Sequence, residues 1–219
     1  WALPHPKRIF SYPPIHWFYG ISGKSPIPFD EIASGDRLTK HADLSMVYSP
    51  KRMRHTMHRK RNAFMQQLIR GLPEMVVYGR GARELIDKSA ALDSYRYHVV
   101  VENHIGPHHW TEKLADAFLG LTLPFYAGCP NAADYFPRDS FIPLDLDDPI
   151  GAVAIIRDAM RNDEYSRRLP AIHLDAPRLF IGGTQLGRQV RPLDRGAETT
   201  PIAFDDRIGD DTQSAITQL

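Results

Sequence analysis

The sequence is poor in cysteine, has no long apolar run and carries almost no net charge. Its single cysteine, Cys129, excludes an internal disulfide and is typical of a reducing compartment. No apolar segment approaches the ~20 residues of a membrane span, so we expect a soluble, cytoplasmic protein. Lys and Arg (27) nearly balance Asp and Glu (26), which argues against a global field for nucleic acid. Any electrostatic function must therefore be local.

What remains is an ordinary globular composition, with 42% hydrophobic and 24% charged residues in a chain of 219. That is enough to bury one substantial core. Residues 1–40 are rich in proline and aromatic residues and are predicted to be an extended connector or the remnant of a larger domain. Because the chain begins with Trp1 and not Met, we expect further sequence upstream. Residues 177–219 are predicted to be an irregular polar tail.

Between residues 41 and 176, short apolar runs alternate with amphipathic segments. The alternation predicts an α/β fold, a Rossmann-like parallel sheet with helices on both faces. Strands are predicted at 44–49, 75–79, 97–101, 123–128 and 140–144, and helices at 56–69, 83–92, 111–121 and 150–163. Sheets of this kind bind ligands beyond the carboxyl ends of their strands.

Polar residues follow three of the predicted strands, and a helix start lies close behind one of them. Ser49, the pair Glu102-Asn103, and Asn131 should meet at one edge of a parallel sheet. The helix that opens at Thr111-Glu112-Lys113 offers unpaired N–H groups and a lysine charge, which together favour a phosphate. The alternative is that Thr111 and Glu112 simply begin a helix well.

Residues 51–61 form a basic run in which six of eleven residues are Lys or Arg. Such a run is usually a solvated helix face, and a nucleic-acid arm is the functional alternative. Some of these cations can instead point into the cleft, where a guanidinium binds a diphosphate through two hydrogen bonds. Arg61, on the predicted helix, is the candidate.

A metal site and a nucleophilic cysteine are two further alternatives. His104, His108, His109 and Glu112 are close in sequence, but their spacing matches no closed zinc pattern, and exposed loop histidines are the simpler interpretation. Nothing in the sequence marks a base for Cys129, which is predicted to be a small buried residue.

Residues 95–142 resemble the donor-binding region of the α-1,3-fucosyltransferases, glycosyltransferase family 10, especially bacterial members. The resemblance rests on an aromatic-rich strand ending in Glu102-Asn103, a short loop, an aromatic residue and then Thr111-Glu112-Lys113. It extends upstream to Arg61-Asn62-Ala63-Phe64 and covers residues 41–176 in all. His104 departs from the family, whose members often have Ser or Thr after Glu-Asn.

The resemblance implies the donor-binding domain of a GT-B glycosyltransferase, with the N-terminal acceptor domain largely missing. The implied reaction transfers fucose from GDP-fucose to an acceptor sugar hydroxyl with inversion, without a cofactor or an obligatory metal. Arg61 and Lys113 would stabilise the leaving diphosphate, and the general base is not identified. The implied donor-binding residues are Ser49, Arg61, Glu102, Asn103, Thr111, Glu112, Lys113 and Asn131.

The partners implied are a nucleotide sugar and a glycan acceptor, with no nucleic acid. We expect a role in cell-surface glycan or lipopolysaccharide synthesis, with peripheral association at the cytoplasmic face of the inner membrane. Two rival functions stay open at this point. One is a non-catalytic nucleotide-sugar binding module, and the other is a nucleic-acid or acidic-lipid binder that uses residues 51–61.

Overall fold

A computed structural model of the chain describes residues 19, 20, 27, 31, 34, 38–50 and 57–183. The strands are β1 (Ala42–Tyr48), β2 (Val76–Gly79), β3 (Tyr95–Val101), β4 (Leu123–Ala127) and β5 (Ile142–Pro143). The helices are α1 (His58–Gly71), α2 (Glu112–Leu119), α3 (Pro149–Arg161) and α4 (Glu164–Gly183). Short 3₁₀ helices occupy Lys88–Ala91, Ala132–Asp134 and Arg138–Ser140.

The five strands form one parallel sheet in the order β2-β1-β3-β4-β5. The chain runs outward from β1 to β2, returns past β1 to β3, and then continues in the opposite direction to β5. The direction of winding therefore changes between β1 and β3, which is where open α/β sheets form their ligand crevice. The predicted parallel sheet is confirmed.

Helices cover both faces of the sheet, and paired residues of β1 and β3 show which helix lies where. Leu44 pairs with Tyr97, whose hydroxyl donates to the Ala159 carbonyl of α3, so α3 covers that face. Ser45 pairs with His98 on the opposite face and donates to the Ala91 carbonyl of the 3₁₀ helix. Each face thus has its own cover, as both-sided burial of a parallel sheet requires.

Two of the helices begin with the capping chemistry that their sequences offer. The Thr111 hydroxyl accepts a hydrogen bond from the Lys113 N–H at the start of α2, and the Asp148 carboxylate accepts one from Gly151 in α3. Helix α1 differs, because Met57 precedes it without a side-chain cap and its first turn has no acidic residue. The amino end of α1 therefore keeps the positive end of its dipole without a neighbouring carboxylate in that turn.

Two local predictions differ from the structure. The helix predicted over residues 83–92 is only the 3₁₀ turn Lys88–Ala91, capped by Asp87, because Arg83 instead bridges to Tyr78 of β2. Helix α4 was not predicted, and it continues to Gly183, past the expected start of the irregular tail. Packing of Tyr165 and Ile172 into the core supports α4 despite its internal prolines.

The remaining boundary predictions fall largely outside the described residues. Residues 184–219 of the predicted tail and most of the predicted connector are not described. Within the connector, Tyr19 is fully buried, its N–H donates to Asp116 at 3.1 Å and its hydroxyl donates to Asp93 at 2.7 Å. This part of the segment thus contacts α2.

Candidate functional site

A cavity of about 420 Å³ lies at the carboxyl ends of β1 and β3, where the direction of winding changes. Val47, in β1, and Ser49, just after that strand, border the cavity on one side. Val101, the last residue of β3, and Asn103, two residues further on, also border it. The other residues that line it are His58, Arg61, Lys88, Leu92, His98, Val99, Val100, Glu112, Lys113 and Asp116. The cavity therefore has cations on several sides and apolar strand residues between them.

One side of the cavity is formed by the amino-terminal turn of α1, and we call His58 and Arg61 the α1 wall. Arg61 is only 5% exposed, and its Nε donates to the Val101 carbonyl at 3.1 Å. Among the described residues, no carboxylate lies within ion-pair distance of its guanidinium. Burial lowers the pKa of Arg61, the nearby Glu102 charge opposes that effect, and the side chain stays cationic.

His58 adds a second polar group to the α1 wall. The residue is 6% exposed, and its Nδ1 is buried without a hydrogen-bond partner in the described part of the chain. Buried ring nitrogens are normally satisfied by protein or by an ordered ligand or water. Within the described part of the chain, the α1 wall thus combines a cation that has no acidic partner with an imidazole nitrogen that has no hydrogen-bond partner.

The opposite side is formed by the first two turns of α2, and we call Glu112, Lys113 and Asp116 the α2 wall. Lys113 Nζ lies 3.3 Å from Glu102 Oε2 and 3.0 Å from Glu112 Oε1. Lys88, from the 3₁₀ helix, forms an ion pair with Asp116 and lies 4.0 Å from Glu112. Both lysines described at this wall, Lys88 and Lys113, are therefore paired with carboxylates.

Glu102 holds the beginning of α2 and does not itself line the cavity. Its carboxylate is fully buried and accepts hydrogen bonds from the Thr111 N–H at 2.9 Å and the Thr111 hydroxyl at 2.7 Å. The Lys113 ammonium in turn donates to the Thr111 hydroxyl at 3.0 Å. Glu102 and Thr111 therefore fix the position of Lys113 at the edge of the cavity.

Gly128, directly after β4, leaves the space that Glu102 needs. A Cβ at Gly128 would lie 2.6 Å from Glu102 Cγ and 2.4 Å from the Tyr126 hydroxyl. Both neighbours are buried and cannot move away freely. The glycine in the sequence Gly128-Cys129-Pro130 is thus required by the packing of the site's supporting carboxylate.

The ionisation of Glu112 is set by its surroundings on the α2 wall. Burial opposes its charge, but Lys113 and Lys88 outweigh that effect and hold the pKa of Glu112 below its ordinary value. Glu112 is therefore an ionised hydrogen-bond acceptor at neutral pH. An acceptor of this kind suits ligand hydroxyl groups.

Asn131 lies away from the cavity wall, in a second polar cluster beyond β4. Its side-chain oxygen accepts from the His108 N–H at 2.7 Å and from the Cys129 thiol at 3.2 Å, while its amide donates to Asp134 at 2.9 Å. Burial raises the pKa of the Cys129 thiol, which disfavours the reactive thiolate. The cluster joins the loop before α2 to the loop after β4.

The clustered histidines do not form a metal site. Residues 38–50 and 57–183, with the few described residues before them, contain no group of three or more His, Cys, Asp or Glu side chains placed to hold a metal ion. His104 and His109 contact each other edge to face, with ring centroids 5.1 Å apart, and His108 Nδ1 lies 2.6 Å from the Tyr135 hydroxyl. No helix in those ranges is both long and apolar enough to cross a membrane.

The structure brings together most of the residues that the sequence predicted. Those on the cavity wall are Ser49, Arg61, Asn103, Glu112 and Lys113, whereas Glu102 and Thr111 support them from behind and Asn131 lies apart. Sequence reasoning missed the cavity residues His58, Lys88, His98 and Asp116. The binding role of each predicted residue stays a prediction.

Comparisons with known proteins point to one kind of enzyme. No protein-family profile matches the chain. In sequence, 87 residues are 33% identical to the α-(1,3)-fucosyltransferase FucT of Helicobacter pylori, covering 37% of this chain and 18% of that enzyme. The resemblance predicted from the sequence is confirmed.

Solved structures of α-1,3-fucosyltransferases also match, at lower similarity. One crystal structure is 24% identical with a TM-score of 0.46, covering 59% of this chain and 38% of the other. Another, described as solved with GDP-fucose, is 21% identical with a TM-score of 0.46 and covers 76% and 49%. This chain thus spans half or less of these fucosyltransferases, and the activity of a whole fucosyltransferase is for it a proposal.

Proposed function

We propose that this chain is the donor-binding part of a glycosyltransferase, and that its donor is GDP-fucose. The observation that carries the proposal is the cavity between β1 and β3, with Arg61 on one side and Lys113 on the other. A sugar diphosphate places two negative phosphates beside an uncharged sugar. Two cations on facing walls, with the carboxylate acceptor Glu112 beside Lys113, complement that distribution of charge.

The proposed chemistry is group transfer with inversion. The bond from the fucose anomeric carbon to the diphosphate oxygen breaks with its electron pair on the diphosphate, while an acceptor hydroxyl oxygen bonds to that carbon. The hydroxyl proton passes to a general base, which we do not assign to any residue of this chain. Negative charge grows on the leaving diphosphate, so Arg61 and Lys113 stabilise the transition state more than the bound donor.

We propose that these cations replace an obligatory metal ion. Support comes from the cavity itself, which has Arg61, Lys88 and Lys113 on its surface and the amino ends of α1 and α2 close by. Transfer activity of the whole enzyme should then persist after chelation of divalent ions. A loss of activity that Mg²⁺ or Mn²⁺ restores would contradict this part of the proposal.

The remaining donor contacts follow from the same cavity. We propose that ionised Glu112 accepts hydrogen bonds from sugar hydroxyls, and that Ser49 and Asn103 contact the nucleotide at the strand ends. We propose that Glu102 and Thr111, which were predicted to bind the donor, act on it by positioning Lys113. We also propose a glycan acceptor and a place at the cytoplasmic face of a membrane where surface glycans are assembled.

The experiment that tests the proposal is calorimetric titration of the 219-residue chain at low and moderate salt. The ligands are GDP, GDP-fucose, GDP-mannose, UDP-glucose and a short single-stranded oligonucleotide. We expect binding of guanosine diphosphates that survives moderate salt. Salt-sensitive binding of the oligonucleotide alone would instead support the nucleic-acid rival, since that binding depends on counterion release. Equal binding of UDP-glucose would contradict the choice of GDP-fucose.

A further inference from the structure

The floor of the cavity contains a histidine that the proposed chemistry does not use. We call Lys88, Leu92 and His98 the floor. His98 lies in β3, between Ser45 of β1 and Pro124 of β4, and is 6% exposed. It is a polar side chain in the middle of a buried strand, and it faces the cavity. A histidine in such a position needs hydrogen bonds for both ring nitrogens.

One ring nitrogen of His98 is satisfied within the protein, and that bond fixes the tautomer. The Ser45 hydroxyl lies 2.5 Å from the Ala91 carbonyl oxygen and 2.7 Å from His98 Nδ1. A carbonyl can only accept, so the single proton of Ser45 points to Ala91. Ser45 Oγ must then accept from His98, and we assign the proton of the neutral ring to Nδ1.

The other ring nitrogen, Nε2, is consequently a bare acceptor. No residue in the described part of the chain donates a hydrogen bond to it. Protonation of Nε2 is disfavoured, because burial and the charges of Lys88 and Lys40 lower the pKa of His98 to about 3. The cavity floor therefore presents a neutral, fixed lone pair at neutral pH.

We propose that His98 Nε2 accepts a hydrogen bond from an N–H or O–H of the bound nucleotide sugar, which makes His98 a specificity residue of the donor site. This inference rests on the proposed function, since the ligand is the nucleotide sugar assigned to the same cavity. Three parts of that ligand carry suitable donors: the ring N–H and amino group of guanine, the ribose hydroxyls, and the hydroxyls of the fucose. A buried acceptor left unpaired by a wrong ligand discriminates strongly against it.

The test compares three versions of the chain with three nucleotides. His98→Leu removes the acceptor and keeps a similar volume, whereas His98→Gln can place an amide oxygen near the position of Nε2. The ligands are GDP, GDP-fucose and inosine diphosphate, which lacks the guanine amino group. We expect His98→Leu to weaken binding about tenfold and His98→Gln to recover most of the loss.

The three ligands locate the donor group. If the donor belongs to guanine or ribose, His98→Leu weakens the binding of GDP and GDP-fucose equally, and inosine diphosphate loses less affinity only if the guanine amino group is the donor. If the donor is a fucose hydroxyl, only GDP-fucose loses affinity. Wild-type affinity of His98→Leu for both GDP and GDP-fucose would overturn the inference, provided that urea denaturation shows the variant folded.

A second measurement reads His98 directly and does not depend on a variant. Nitrogen NMR of the wild-type chain should show the neutral Nδ1–H tautomer in the free protein and a shift of the Nε2 signal when the nucleotide binds. A proton on Nε2 in the free protein, or an unchanged Nε2 signal in the complex, would overturn the inference. If the wild type binds no nucleotide at all, the proposed function fails first, and this inference fails with it.

Ser45→Ala offers a matched variant, because Ser45 touches His98 but does not line the cavity. Without Ser45 the ring is no longer held to one tautomer, so Nε2 carries a proton for part of the time. We expect a smaller loss of affinity than in His98→Leu and a mixture of tautomers by NMR. A loss of affinity with the tautomer unchanged would indicate a purely structural role for the pair.

Discussion

The two walls of the cavity handle positive charge in opposite ways. On the α1 wall, Arg61 is almost wholly buried and, among the described residues, has no carboxylate within ion-pair distance. On the α2 wall, Lys113 is 23% exposed and lies within 3.3 Å of two carboxylates. A buried cation without an acid costs stability, whereas removal of one partner of a buried ion pair destabilises the fold.

Under the proposed function, the difference separates Arg61, which is expected to serve mainly the ligand, from Lys113, which also serves the fold. Arg61 has no carboxylate partner among the described residues, so an anion that enters the cavity would supply one, and its burial would favour binding at the expense of the empty protein. Lys113 belongs to a network that also holds Thr111 and the start of α2. Substitutions on the two walls should therefore separate binding from stability.

The largest effect should come from the buried carboxylate that supports the α2 wall. Glu102→Ala removes the acceptor for two groups of Thr111 and leaves Lys113 with one carboxylate fewer. We expect the free energy of unfolding in urea to fall by about 3–5 kcal/mol, as for other broken buried ion pairs. The matched variant Glu112→Ala, on a partly exposed partner of the same lysine, should lose much less. Equal losses would show that Glu102 does not anchor the wall.

The next effect should appear on the α1 wall, in binding and not in stability. Arg61→Met should weaken GDP binding by about 10- to 100-fold, equivalent to ~1.5–3 kcal/mol for hydrogen bonds to a charged group. The free energy of unfolding should stay the same or rise, because an unpaired buried charge is removed.

Arg59 provides the control for that prediction, because it is an exposed arginine on the same helix, two residues earlier. Arg59→Met should leave GDP binding unchanged. If instead Arg59→Met and Arg61→Met weaken binding alike, the general basicity of the helix matters and not the cavity. The comparison of the two walls would then fail.

Substitution of Lys113 should weaken ligand binding and lower stability at the same time. Lys113→Met removes a cation from the cavity and also breaks contacts to Glu102, Glu112 and Thr111. We expect GDP binding to weaken about tenfold and the free energy of unfolding to fall by about 1.5 kcal/mol. Lys60→Met, which breaks an exposed pair with Asp147, should change stability by less than about 1 kcal/mol. Unchanged stability of Lys113→Met would place Lys113 in the same class as Arg61.

Sequence reasoning predicted the architecture because the relevant signals are local. Alternating apolar runs and amphipathic segments fixed the parallel sheet, and parallel strands end at one edge, which brought Ser49 and Asn103 together. The Thr111-Glu112-Lys113 helix start was also predicted from a local capping pattern, and Thr111 does cap α2. The family resemblance rested on the same short segments.

The missed parts of the site depend on contacts between distant residues. In the sequence, His98 is one residue of an apolar strand. Nothing near it indicates the hydrogen bond to Ser45, which lies 53 residues earlier. Lys88 and Asp116 meet across 28 residues. The Glu102 side chain is buried and not on the cavity wall, because it accepts a hydrogen bond from the Thr111 N–H, nine residues later. A buried carboxylate needs such donors, and the sequence does not show where the fold supplies them.

The smallest effect should be the pH dependence that Glu112 gives to the free energy of unfolding. This dependence belongs to the α2 wall, where lysines and carboxylates are paired. The pKa of Glu112 is held below the ordinary value of 4.5 in the folded chain. The stability that ionised Glu112 contributes to the fold is therefore complete above that ordinary value and is lost as pH falls through the lower folded pKa.

Between pH 6 and pH 3, wild type should lose more free energy of unfolding than Glu112→Gln, in which the side chain no longer titrates. The exposed Glu74→Gln, outside the cavity, should follow wild type more closely. Parallel curves for wild type and Glu112→Gln would mean that Lys113 and Lys88 do not stabilise the Glu112 charge, and that the α2 wall is less tightly paired than its distances indicate.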